Sequence, residues 1–246
     1  MNVTSPVGDR ARLEARVAGK SFQTASGQSA PVIADLSFAL QEGETGALIG
    51  PSGCGKSTLM RILAGLDRNF EGTVHIPAQG RIGMAFQEPR LLPWRSLEDN
   101  VRLAAPEASE AEIAALFAAL GLSEHRTHFP GELSVGLARR AALARAFAVR
   151  PTLLLLDEPF VSLDAPLARQ MQRDLARLVE SRRMITVLVT HDVDEAIALA
   201  DRILVLSARP AHVIGEIRVA SPRSAMSGEE RQAIAARIEA LRGGLN

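Results

Sequence analysis

Gly50-Pro51-Ser52-Gly53-Cys54-Gly55-Lys56-Ser57-Thr58 decides how the rest of this 246-residue chain is read. It matches G-x-x-x-x-G-K-[ST], the pattern of a loop that cradles phosphate. The apolar run Thr45–Ile49 before it is strand-like, and Leu59, Ile62 and Leu63 after it carry helical spacing through Ser57–Ala64. Strand, loop and helix in that order are the context the pattern needs. Glycines let the backbone close around an anion with its N–H groups turned inward. The helix N-terminus behind the loop adds partial positive charge. Lys56 would reach the β- and γ-phosphates, and the Ser57 hydroxyl would ligate Mg²⁺. Of 28 Lys+Arg only Lys20 and Lys56 are lysines, so a compact ammonium appears where an otherwise arginine-using chain needs a phosphate-binding charge.

A hydrophobic share of 47% with 23% charged residues suits one large α/β domain with a sizeable core. Net charge is zero, which gives no global argument for binding nucleic acid. Cys54 is the one cysteine, so no disulfide framework forms and a reducing compartment is expected. Inside the loop it reads as a small residue in a tight turn. Met1–Arg10 lacks the apolar core of a secretory signal, and no apolar run reaches the roughly 18 residues of a membrane span. Any action at a membrane is therefore expected to go through a partner.

Along the chain, Leu13–Phe22 and Ile33–Leu40 predict strands separated by a polar turn, Gln23–Ala30. Gly72–Ile76 and Ile82–Phe86 predict two more, the second ending at Gln87. Residues 88–150 predict a mostly helical insert. Within it Ser96–Leu103 is helical, and Ser109-x-x-Glu112 is a capping box before Ile113, Leu116, Phe117 and Leu120. Gly121 stops that helix, and another runs from Ser134 to about Val149. Leu91, Leu92 and Trp94 fit either the insert's core or an exposed socket for a partner's helix, with the socket preferred. The α/β pattern then resumes with a buried strand at Leu153–Leu156 and a helix capped by Asp164. Strands at Met184–Val189, Arg202–Leu206 and Val213–Val219 follow, with a helix opening at Asp192, Asp194 and Glu195. Ile234, Ile238 and Leu241 mark a last amphipathic helix, for packing or for regulation.

Leu153–Leu156 delivers Asp157 and Glu158 at its C-terminal end, where ligands bind in open α/β sheets. Beside a phosphate loop, Asp157 is the expected Mg²⁺ partner through water, and Glu158 the group that polarises a water for attack on the γ-phosphate.

With these residues in place the chain resembles the ATP-binding subunit of an ABC transporter. Gln87 matches the Q-loop glutamine, and Leu133-Ser134-Val135-Gly136-Leu137 stands where that family has its LSGGQ signature. Ser162-Leu163-Asp164 matches the D-loop, His191 the switch histidine, and Phe22 lies where an adenine-stacking aromatic is expected. Met84–Trp94, Asp157-Glu158-Pro159-Phe160 and Leu206–Pro210 resemble the nitrate/sulfonate/taurine importer group.

The resemblance implies a mostly parallel P-loop NTPase core with flanking helices, an antiparallel β subdomain and a helical subdomain. It implies one ATP-binding domain over 1–246, the helical subdomain at about 88–150 and a helical extension at about 220–246. Gly50 through Thr58 and Phe22 would bind ATP; Ser57, Gln87 and Asp157 would hold Mg²⁺; Glu158, His191 and Gln87 would serve hydrolysis. Two copies would sandwich two ATP molecules head to tail, with Ser134 and Gly136 of one copy closing on the phosphate loop of the other and Asp164 helping to join the sites. Ser134 also caps its helix, which makes an anion site there physically reasonable. ATP would hold the homodimer closed, and hydrolysis would release it. The resemblance further implies a separate transmembrane permease, an extracytoplasmic solute-binding protein, no nucleic-acid partner, and a peripheral place on the cytoplasmic face of the plasma membrane.

Val135 and Leu137 depart from that signature, which has glycine and a polar residue there. Val135 puts a β-branched side chain where close approach is wanted. Either the variant is tolerated, or it weakens engagement in trans and slows hydrolysis. Two other classes fit the ATP-binding residues: a soluble ABC-type ATPase outside transport, and a nucleotide-sensing regulatory subunit with weak hydrolysis.

Overall fold

Burial periodicity separates the strands into two sheets. The structure is a computed structural model describing residues 12–25, 27–77, 80–219 and 226–243. In β1 (Arg12–Gln23) and β2 (Ser29–Gln41) buried positions alternate with exposed ones, as in a sheet with one wet face. With β4 (Glu71–His75) they form an antiparallel sheet of order β2-β1-β4. By contrast β3 (Thr45–Ile49), β6 (Leu153–Asp157) and β7 (Ile185–Val189) are buried at every position. They belong to a sheet of order β5-β6-β7-β3-β8-β9, which adds β5 (Ile82–Ala85), β8 (Arg202–Leu206) and β9 (Val213–Arg218). Only β9 runs antiparallel in it.

Successive residues of the buried strands face different cores. Leu154, Leu156 and Leu188 meet the helices α2 (Leu97–Ala104), α3 (Glu110–Ala119), α4 (Val135–Ala148) and α5 (Ala165–Arg182). Leu153, Leu155, Val187 and Val189 meet α1 (Lys56–Leu63) and the antiparallel sheet. A third cluster joins Ile49, Ile203 and Val205 to α6 (Val193–Leu199) and to α7 (Gly228–Gly243) through Ile197 and Ile238. The expected last helix therefore packs: Ile238 is fully buried, and a Cβ on Gly215 of β9 would stand 2.5 Å from Leu241. Residues 220–225 and 244–246 of the expected extension lie outside the described residues.

The first hairpin is tighter than its sequence suggests. β1 and β2 pair out to Gln23 opposite Ser29, and Thr24 and Gln28 close the turn by a 2.8 Å backbone hydrogen bond. β2 begins at Ser29, four residues before the expected Ile33, and takes in Pro31, which an edge strand accommodates. The loop before α2 divides between the two readings of its apolar residues. Leu91 packs on the helical core, whereas Trp94 is 71% exposed. That loop is held by Asn100, which is buried and hydrogen-bonded through Oδ1 to the Leu92 N–H and through Nδ2 to the carbonyls of Leu92, Arg95 and Ser96. Among the described residues no helix is long and apolar enough to cross a membrane.

Candidate active site

A helix N-terminus leaves backbone N–H groups without intrahelical acceptors, and a side chain usually takes one of them. Each helix from α2 to α6 follows that rule, through Ser96, Ser109, Ser134, Asp164 and Asp192. Helix α1 does not. It begins at Gly55, at φ +130°, with no side-chain cap and no acid in its first turn. Its donors are left for an anion. Glycine is required at that point: a Cβ on Gly55 would lie 2.9 Å from Val32 Cγ1 and 3.2 Å from the Val32 carbonyl. Lys56, buried but for 7% of its surface, donates from Nζ to the carbonyls of Gly50 and Pro51 at 2.8 Å each. The loop thus wraps back over its own lysine, with the buried Cys54 beneath.

Opposite the loop stand the two acids. Asp157, the last residue of β6, is buried and stands beside Ser57 at one cavity. Burial raises its carboxyl pKa, against the lowering effects of the Ser57 hydroxyl and the charges of Lys56 and Arg90. A hydroxyl, a carboxylate and the neighbouring Gln87 amide are oxygen donors of the kind Mg²⁺ takes. Among the described residues no group of three His, Cys, Asp or Glu could hold a metal by itself.

Glu158 follows in the left-handed region, at φ +47°, and its N–H donates to the Val189 carbonyl at 2.9 Å. This tight turn aims its carboxylate sideways. Oε2 lies 3.4 Å from Gln87 Nε2 and 3.5 Å from His191 Nδ1. Gln87 and His191, from just beyond the ends of β5 and β7, therefore converge on one oxygen of Glu158, which follows β6. A cavity of about 250 Å³ opens beside them, lined among others by Gly53, Lys56, Ser57, Gln87, Glu158 and Arg209. The segment carrying His191 is braced from behind. Thr190 Oγ1 donates to Glu195 at 2.6 Å and accepts from the Asp192 N–H at 3.0 Å. Burial raises the Glu195 pKa, with the Thr190 hydrogen bond opposing.

The structure thus brings Ser52, Gly53, Gly55–Thr58, Gln87 and Glu158 to one cavity, with Asp157 and His191 adjoining and Gly50, Pro51 and Cys54 supporting it. Other expected residues are not at that cavity within this chain. Phe22 is half-exposed, and its ring lies 4.6 Å from the Nζ of Lys20, which is itself paired with Asp67 at 2.8 Å. Ser134 caps α4, accepting from the Leu137 N–H at 3.3 Å, and Val135 is 58% exposed. Gly136 is buried, and a Cβ there would come within 2.5 Å of the Leu167 side chain. Asp164 caps α5, accepting from the Leu167 N–H at 2.9 Å.

Two arginines escaped the sequence reading. On α4, Arg139 donates to the carbonyls of Glu158 and Pro159 at 3.1 and 3.4 Å. Arg145 donates to those of Arg90 and Pro89 at 2.6 and 2.8 Å. They tie the helix that starts at Ser134 to the Glu158 turn and to the loop after Gln87. Their acceptors are backbone carbonyls, which leave no side-chain signature in the sequence.

The ABC transporter family profile matches residues 33–161. The aliphatic sulfonates import ATP-binding protein SsuB 2 of Pseudomonas syringae pv. tomato is 42% identical over 212 residues, covering 85% of this chain and 89% of that protein. SsuB 1 of Streptomyces avermitilis is 48% identical over 194 residues, covering 78% of this chain and 74% of its own length. Two solved structures share the fold. One is a dimeric ATP-binding cassette in a post-hydrolysis state bound to ADP and Pi (27% identity, TM-score 0.74), the other a dimeric bacterial ABC transporter cassette (26% identity, TM-score 0.76); each covers 85% of this chain and 99% of its own. These relatives favour transport over a soluble ATPase or a regulatory subunit. The chain belongs to the ABC transporter family, as an ATP-binding, ATP-hydrolysing subunit of an importer.

Proposed function

We propose that this subunit hydrolyses Mg-ATP as a head-to-tail homodimer on the cytoplasmic face of the membrane and drives import of aliphatic sulfonates delivered by an extracytoplasmic binding protein. The observation that carries the hydrolytic part is the convergence of Gln87 and His191 on one oxygen of Glu158, beside the cavity at the phosphate loop. In this reading the Glu158 carboxylate takes a proton from a water whose oxygen attacks the γ-phosphorus. The bond to the β,γ-bridging oxygen breaks, and ADP and phosphate leave. Gln87 and His191 orient the water and the γ-phosphate around that carboxylate. Ser57 and Asp157, with Gln87, would hold Mg²⁺, whose contribution is to neutralise phosphate charge. Gly50–Thr58 cradles the phosphates, and Phe22 offers adenine the ring face turned away from Lys20. Ser134 and Gly136 of the second copy complete each site, and Asp164 lies where the copies join. The division into a helical subdomain at about 88–150 and an extension from about 220 belongs to the same reading.

The test is Glu158→Gln. It keeps shape and removes the base, so turnover falls on the order of 100-fold or more. ATP binding survives, and the protein runs as a dimer on gel filtration with saturating Mg-ATP. A variant that hydrolyses normally, or stays monomeric with ATP, overturns the reading. For the cargo, loss of this subunit abolishes growth on an aliphatic sulfonate as sole sulfur source and leaves growth on sulfate intact. Equal growth on both rejects sulfonate.

A further inference from the structure

The loop between β8 and β9 is built like a ledge against the phosphate loop. Leu206, which ends β8, abuts the loop's first residue: a Cβ on Gly50 would lie 3.0 Å from Leu206 Cβ and 3.2 Å from its carbonyl oxygen. The buried Ser207 hydroxyl donates within this loop, toward the carbonyls of Ala208 and Pro210 at 2.8 and 3.2 Å, and accepts from the His212 N–H at 3.0 Å. Ala211 is buried and bridged to β2: its N–H donates to the Val32 carbonyl at 2.8 Å, and its carbonyl accepts from the Ala34 N–H at 3.1 Å. Val32 is the residue that lies against Gly55. So the ledge is fixed at both ends to the elements that shape the phosphate loop.

At its tip is Arg209. Its side chain is exposed, and among the described residues it makes no hydrogen bond or ion pair. It lines the same cavity as Ser52, Gly53, Lys56 and Glu158. Most arginines around the site are committed elsewhere: Arg139 and Arg145 donate to backbone carbonyls, and Arg90 lies over the Phe86 ring. A rigidly mounted, uncommitted guanidinium beside the phosphate cradle is matched by one chemistry in particular. Phosphate oxygens accept its forked N–H donors, and their charge opposes its own.

We propose that Arg209 is a nucleotide-binding residue of this site, donating its guanidinium to the phosphates of the ATP held by Lys56. This rests on the reading of Gly50–Thr58 as the nucleotide site, so Lys56→Ala is measured in parallel. Binding of a non-hydrolysable ATP analogue is titrated at protein concentrations where the chain is monomeric. Arg209→Ala weakens binding about tenfold, the loss of one charge-assisted hydrogen-bonding group, and Arg209→Lys recovers part of it. The melting temperature without nucleotide is unchanged for both, because the ledge is held by Ser207 and Ala211. Unchanged analogue affinity in Arg209→Ala, with Lys56→Ala binding lost, overturns the role of Arg209 alone. Normal binding in Lys56→Ala overturns the nucleotide site itself. Lowered nucleotide-free stability with unaltered affinity assigns Arg209 to the loop's packing and also rejects the proposal.

Discussion

The phosphate loop Gly50–Thr58 and the segment Leu133–Leu137 both lead into a helix N-terminus, but they leave it in different states. At α1 no side chain caps the helix; Gly55 exposes the first-turn donors, and Lys56 is folded over the loop that presents them. At α4 the helix is already capped by Ser134, whose oxygen accepts from the Leu137 N–H. A hydroxyl keeps its own hydrogen to donate while it accepts. Ser134 can therefore add one donor to an approaching phosphate, whereas α1 offers several. The glycines differ in the same sense. Gly55 is fixed by its φ and by Val32, through both its Cγ1 and its carbonyl, while Gly136 is fixed by the tip of a neighbouring side chain, Leu167. One region leaves its helix N-terminus uncapped, with Lys56 held beside it by its own loop. The other is a capped, well-packed helix start with Val135 exposed at its front, which in the proposed dimer would face the second copy.

Five substitutions press on this difference. The largest effect is expected from Lys56→Ala, which removes both the phosphate charge and the ties to Gly50 and Pro51. ATP affinity falls on the order of 100-fold or more by fluorescence titration, whereas Ser134→Ala in the monomer leaves it unchanged. Next is Gly55→Ala, which meets an unfavourable φ and the Val32 carbonyl. It costs about 2–4 kcal/mol in urea unfolding. The same change at Gly136 costs roughly 1 kcal/mol or less, since the tip of Leu167 can turn aside and alanine favours a helix over glycine. If the two glycines prove equally sensitive, the contrast between backbone and side-chain constraint is wrong. Smallest is Val135→Gly. Clearing an exposed isopropyl group from a helix start that the proposed dimer would bury raises turnover about two- to fivefold with ATP affinity unaltered, as a contact of roughly 0.5–1 kcal/mol would. An unchanged rate marks Val135 as a tolerated variant.

Most of the fold and half of the site were legible in the sequence for a common reason: they rest on local patterns. Leu153–Leu156 reads as a buried strand because it has no polar alternation, and Ser109 reads as a cap because Glu112 stands three residues on. The capping box is present, with Ser109 and Glu112 satisfying each other. What was missed depends on distance in sequence. The hairpin's true length depends on β2 being an edge strand, which tolerates Pro31. Asn100 holds four backbone groups of the loop before it, and nothing in its sequence neighbourhood marks it. Arg139 and Arg145 reach 19 and 56 residues away to backbone carbonyls. Arg209 was visible only as part of a subgroup string. Its place at the cavity follows from the parallel bridge of Ile33 to Ala211, a pairing no local pattern encodes.

The scarcity of lysine has a practical side. The chain carries two, and both are buried, Lys20 to 4% and Lys56 to 7% of their surface. An amine-directed reagent therefore meets almost no competing side chains. Lys20 is locked in an ion pair with Asp67 at the far end of α1, which leaves Lys56 as the amine whose surroundings change when phosphate arrives. Slow acylation of this protein, followed by mass spectrometry, would report the occupancy of the phosphate loop directly at Lys56.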